Sequence, residues 1–174
     1  DKSSKIAKSF DKKVKYFYSK NNFSLGKARN LALKKVTGKY IAFIDCDDVW
    51  FDNNKLKNQV MFMESNLEYA LSYDGLEEIF LDGTHFQFVN NIHKSGFILE
   101  NLLFQFDIPI ISSIIRTSHL SESGLSFDES ITASEEYCLF MQLAARFPIG
   151  VSSNITTKYR IDPNSLTSKS LAVL

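Results

Sequence analysis

The stretch Lys39–Ile44, KYIAFI, runs straight into Asp45, Asp47 and Asp48. A strand with one wet face alternates apolar and polar residues, and this run does not alternate. It predicts a strand covered on both faces, as in a parallel sheet with helices packed on each side. The chain is thereby committed to a layered α/β fold. The same run sets three carboxylates beyond the carboxyl end of a strand, where open α/β sheets receive their ligands.

The flanking pattern fits that layering. Ile6, Ala7 and Phe10 recur at helical spacing, and Val14, Tyr16, Phe17 and Tyr18 then predict a short strand. Ser24 stands as N-cap to LGKARNLALKKV, where Leu25, Ala28, Leu31 and Ala32 share one face and Gly38 marks the stop. Asp52 stands as cap to a third helix in NNKLKNQVMFMES with Leu56, Val60 and Met63 inward, and EYALSY returns as a strand. Asp82 and Gly83 separate two β-rich runs as a tight hairpin does, which makes the sheet mixed, though mostly parallel. FILENLLFQF predicts a helix and ISSIIR a strand. EEYCLFMQLAARF predicts a helix capped by Ser134 and closed by Pro148, and ITTKYR a last strand. With 174 residues, 44% of them hydrophobic, and no repeat or linker, one domain is expected over 1–174. A nucleotide-binding α/β fold normally opens on a central strand, whereas this chain opens within a helical pattern, so a preceding segment is expected.

Net charge is zero, yet residues 1–40 hold 12 Lys or Arg against Asp1 and Asp11, while the remainder holds 8 against 18 acids. Lys-rich helices are first of all solvated surface. The acidic remainder argues against a nucleic-acid partner, which needs a basic stripe without an acidic field beside it. No apolar run approaches the roughly 18 residues of a membrane span. Cys46 and Cys138 lack metal spacing and fit free thiols of a reducing compartment, so a cytoplasmic location is expected.

Carboxylates as close as Asp45, Asp47 and Asp48 raise one another's pKa unless a cation favours their ionised forms. A hard divalent ion does so, and Mg²⁺ in particular takes few protein ligands and completes its shell from water and phosphate. An EF-hand is excluded, because Val49 and Trp50 would fill its fifth and sixth positions, the latter requiring Gly. The alternative is a polar turn in which Asp48 or Asp52 caps the next helix. His85, His93 and His119 show no ligand spacing.

The segment NNFSLGKARNLALKKVTGKYIAFIDCDDVW resembles the nucleotide-sugar half of a family 2 inverting glycosyltransferase of GT-A fold. ISSIIRTSHLSESGLSFDESITASEEYCLFMQLA resembles its acceptor-side half, and YRIDPNSLTS its closing segment. The resemblance implies a three-layer sandwich divided into a nucleotide-sugar half, 1–64, and an acceptor half, 65–174. It implies contacts to a nucleotide-sugar, a UDP-sugar above others, at Asn22, Arg29, Asp45, Asp47 and Arg160. It also implies Mn²⁺ or Mg²⁺ at Asp47 and Asp45. The acceptor would be a surface glycan or lipid-linked sugar, bringing the protein to the inner membrane face.

Inversion at an anomeric carbon needs a base for the acceptor hydroxyl, and one carboxylate suffices. Glu136 stands where the family has Asp in its acidic pair, with Glu135 before it. This is a departure of one methylene, and either Glu is a candidate. Asp162 stands where many members carry His. Two rivals follow. FIDCDDVW also resembles the phosphatase motif of haloacid dehalogenases, and the two departures suit a non-catalytic binding module of the same fold.

Overall fold

The computed structural model describes residues 2–10, 14–80, 86–89 and 93–162. In chain order the helices are α1 (Ser3–Ser9), α2 (Leu25–Leu33), α3 (Lys55–Ser65), α4 (Leu99–Phe104), α5 (Thr117–Ser123) and α6 (Glu135–Ala144). The strands are β1 (Tyr40–Ala42), β2 (Val49–Trp50), β3 (Leu71–Phe80), β4 (Phe86–Val89), β5 (Ser113–Arg116) and β6 (Ile149–Ile161). They form one sheet in the order β1-β5-β3-β6-β2, with β4 on β3.

Alternation along β3 makes the layers. Leu71 and Tyr73 enter a core with Leu102 of α4 and Leu139, Phe140 and Leu143 of α6. From the opposite face, Ser72 and Asp74 meet Gln59 and Lys55 of α3. The α/β sandwich with a mixed sheet is therefore as the sequence implies, but its balance differs. β3 and β6 pair in parallel, whereas β1/β5, β3/β5, β3/β4 and β2/β6 are antiparallel. The unbroken run KYIAFI predicts cover on both faces and a parallel neighbour, but β1 stands at one end of the described sheet and pairs antiparallel with β5: Ile41, opposite Ile115, is 7% exposed, whereas Ile44 is 46% exposed. Because β5 runs against both β1 and β3, and β6 runs with β3, the carboxyl ends of β1, β3 and β6 share one edge.

Other expectations are corrected. Val14–Tyr18 forms no strand, and Phe17 and Tyr18 are largely exposed; β-propensity needs a neighbour to pair with, and none of the described strands pairs with them. α2 packs not through Leu25, Ala28, Leu31 and Ala32, all exposed, but through Gly26, Arg29, Asn30 and Leu33. α3 turns Lys55, Gln59 and Met63 inward and leaves Leu56 out. Asp52 does act at its start, its Oδ1 accepting from the Asn54 amide at 2.8 Å, although Asn54 is the cap residue. Ser24 caps α2, accepting from the Lys27 amide. Ser134 precedes α6 without a side-chain cap bond, in the left-handed region at φ 57°. EYALSY and GLEEIF merge into the single strand β3, and the Asp82-Gly83 turn lies outside the described residues. β2 and α5 had no clear sequence signal. α5 ends on Gly124 at φ 66°, a left-handed stop that glycine adopts without cost.

Arg116 of β5 is 4% exposed and donates to the carbonyls of Met63, Asn66 and Tyr69, closing the carboxyl end of α3. No described helix is long and apolar enough to cross a membrane.

Candidate active site

The shared strand edge carries a cleft of about 270 Å³. Asp45 enters it just beyond β1, Leu76 and Glu78 from the distal part of β3, Tyr159 from that of β6, and Glu135 and Glu136 from the first turn of α6. Two acids at a helix amino end are favoured by the backbone dipole.

Arg29 joins these groups. Its guanidinium donates from Nη2 to Asp45 Oδ1 at 3.2 Å, pairs through Nη1 with Glu135 Oε1, and stands 3.8 Å from Glu136 Oε2. The Arg29 side chain is 11% exposed and Glu135 1%, so this pair is buried. The rings of Phe43 and Phe127 flank the guanidinium at 5.8 and 5.7 Å. The neighbouring residues of ARN explain how α2 is brought so close. Asn30 both donates to the Phe127 carbonyl at 2.9 Å and accepts from the Phe127 amide at 3.0 Å. A Cβ on Gly26 would lie 2.7 Å from the Asp128 carbonyl oxygen. Gly26→Ala is therefore expected to destabilise the protein by about 1–3 kcal/mol through overpacking against backbone, read from denaturant unfolding.

Glu135 and Glu136 differ in surroundings. Glu135 has one oxygen on Arg29 and the other without a partner among the described residues. Glu136 is 20% exposed. Burial holds its carboxyl above the usual carboxylate range, helped by the charges of Glu135 and Asp45 and opposed by Arg29 and its own backbone amide.

Asp48 is not a helix cap. It is 8% exposed, its Oδ1 accepts from the Arg160 amide at 2.9 Å, and Oδ2 has no partner among the described residues. Burial pushes its carboxyl from 3.8 up to about 6 against the Arg160 amide, with Asp47 and Asp45 adding to the rise. The folded state thus holds this proton more tightly than the unfolded chain. The resulting stabilisation is complete below about 3.8 and is lost as pH rises through about 6. In divalent-free buffer, unfolding titrations across that window are expected to show this loss, and Asp48→Asn to flatten it.

The structure thus brings Arg29, Asp45, Glu135 and Glu136 into one cleft. Asp47 and Arg160 sit beside it, Arg160 Nε donating to the Asp47 carbonyl at 3.0 Å with the Asp47 side chain exposed. Asn22 is exposed and does not line the cleft, and Asp162, half-buried, follows β6 directly. Among the described residues no three His, Cys, Asp or Glu side chains are grouped to hold a metal by themselves. Tyr159 opens the YRIDPNSLTS segment and lines the cleft, Glu78 and Leu76 carried no motif, and Asn30 was visible only within the LGKARN stretch.

The profile of Glycosyl transferase family 2 matches residues 1–119. The chain belongs to glycosyl transferase family 2. An uncharacterized glycosyltransferase of Rickettsia bellii is 34% identical over 157 residues, which cover 90% of this chain and 22% of that protein. The Escherichia coli UDP-Glc:alpha-D-GlcNAc-diphosphoundecaprenol beta-1,3-glucosyltransferase WfaP is 25% identical over 160 residues, covering 86% of this chain and 57% of WfaP. S. aureus TarS 1-349, crystallised with UDP-GlcNAc, superposes with a TM-score of 0.77 at 19% identity, over 97% of this chain and 48% of TarS. This likeness carries the GT-A fold. The chain spans between about a fifth and three-fifths of the length of these proteins. Membership of the family displaces the haloacid dehalogenase reading.

Proposed function

We propose that the protein is a metal-dependent inverting glycosyltransferase that moves a sugar from a nucleotide-sugar, a UDP-sugar above others, to a hydroxyl of a surface glycan or lipid-linked acceptor. The observation that carries this is the convergence of Asp45 and Glu136 on one cleft. WfaP is named for a UDP-Glc donor and a diphosphoundecaprenol acceptor, and TarS was crystallised with UDP-GlcNAc. Both are consistent with the donor class, and WfaP with an acceptor at the inner membrane face.

In this mechanism Glu136 takes the proton of the acceptor hydroxyl as its oxygen bonds to the anomeric carbon. The bond from that carbon to the diphosphate breaks on the opposite face, and the electron pair leaves with the nucleoside diphosphate. The exposed carboxylates of Asp45 and Asp47 fit Mn²⁺ or Mg²⁺, hard ions that need few protein ligands when a diphosphate supplies others. Bound there, the ion supplies positive charge against the departing diphosphate. Arg29 holds Asp45 in place, and Glu135 holds Arg29.

The test is transfer by the full-length protein from a panel of UDP- and GDP-sugars with Mn²⁺ or Mg²⁺. Product is expected with at least one donor, and its loss in EDTA or in Asp47→Ala. Departures at Glu136 and Asp162 favour a second reading, a non-catalytic module of the same fold. Nucleotide binding without transfer or donor hydrolysis would establish that reading instead.

A further inference from the structure

On the face of β3 that meets α3 lies a second cavity, of about 200 Å³. Ser72 and Asp74 of β3, Lys55 and Phe62 of α3, and Gly150 and Thr156 of β6 are among the residues that line it. The 3₁₀ turn Ile110–Ser112 stands between the two hollows, Ile110 and Ile111 facing the cleft while the Ser112 carbonyl accepts from Lys55.

The charges of this cavity are already committed. Lys55 Nζ donates to Gln59 Oε1 at 2.7 Å, to the Ser112 carbonyl at 2.7 Å and to Asp74 Oδ2 at 3.4 Å. The same Asp74 oxygen accepts from Thr156 Oγ1 at 2.9 Å. An ammonium with all three protons engaged and a carboxylate paired to it favour neither an anion nor a cation.

Ser72 is different. It is 5% exposed, and its Oγ has no hydrogen-bond partner among the described residues, a state that folded proteins rarely leave without water or a ligand. Beside it, Gly150 makes room for an aromatic wall. A Cβ there would meet Phe62 Cε1 at 2.3 Å and Ser72 Cβ at 2.9 Å, so only glycine lets the Phe62 ring lie against the strand. Asn58 and Asn154 set amides at the exposed rim.

An aromatic side chain in the wall, an unpartnered buried hydroxyl, rim amides and no free charge suit a ligand with one apolar face and an edge of hydroxyls. The volume equals roughly six or seven waters, the scale of one sugar ring. We propose that this cavity binds a single neutral sugar residue, separately from the cleft of Asp45 and Glu136. The inference rests on the cavity's own chemistry and does not require transferase activity.

The test titrates methyl glycosides of glucose, galactose and N-acetylglucosamine, with inorganic phosphate as control, into full-length protein saturated with UDP. The amide resonances of Ser72, Gly150 and Val151 are followed, and a separate transfer assay reports on the cleft. At least one glycoside is expected to give saturable shifts and phosphate none. Ser72→Ala is expected to weaken binding about tenfold without lowering Tm, and Asn58→Trp, across the mouth, to abolish it. No saturable shift with any glycoside, phosphate binding at these amides, or affinity unchanged in both variants would overturn the proposal.

Discussion

Glu136→Gln is expected to lower kcat for sugar transfer by about 10²–10⁴-fold, the usual worth of a positioned general base, while leaving the KM for the nucleotide-sugar and the Tm close to wild type. Gln keeps the size of the side chain and removes its ability to take a proton. Tm should hold because Glu136 lies 3.8 Å from Arg29 and is partly exposed, whereas Glu135 makes the close ion pair. The pH profile supplies an independent readout. A base works only when deprotonated, and burial with the charges of Glu135 and Asp45 lifts this carboxyl above its ordinary range. Activity should therefore fall as pH drops through a value higher than that of an exposed glutamate, and Glu136→Asp should retain a profile of this shape at reduced rate. If Glu136→Gln stays active while Glu135→Gln loses kcat at unchanged Tm, the base is Glu135.

How much of this was legible in the sequence depends on which residues carry their own signal. The run KYIAFI-DCDD announced both a strand and its acidic end, because an apolar run without alternation has few other homes. α6 was equally plain, its apolar spacing following two acids and ending at Pro148. The neighbours of β1 were not legible: β5 pairs with it antiparallel from 72 or more residues away, and β1 stands at an end of the described sheet with Ile41 alone of its residues buried, so an apolar run specified neither the direction of a partner nor cover on both faces. α3 misled for a different reason. Its inward face is Lys55 and Gln59, polar residues that periodicity assigns to solvent and that are buried here only because Ser112 and Asp74 supply partners. The same holds at the site. Acids were visible as a pattern, but which acid is ion-paired and which faces the cleft is decided by where Arg29 reaches.

Arg29→Met is accordingly expected to act on both sides of the cleft at once. The substitution leaves Glu135, 1% exposed, with neither oxygen paired among the described residues, and breaking a buried ion pair in this way costs about 3–5 kcal/mol. Arg29→Lys should lose less, yet not be neutral, since one ammonium cannot offer the two-nitrogen fork that spans Asp45 and Glu135. The double variant Arg29→Met with Glu135→Gln separates stability from function. With the stranded charge removed, stability should recover most of the loss, whereas Asp45 still lacks its anchor and the KM for the donor should remain raised. Glu136 provides the last discriminator. Arg29 holds its carboxyl down against burial and the neighbouring acids, so in Arg29→Met alone the acid limb of the rate profile should move to higher pH, whereas in the double variant loss of the Glu135 charge, the larger of the two effects, should offset that move. An arginine that served only as packing between Phe43 and Phe127 would leave that limb where it was.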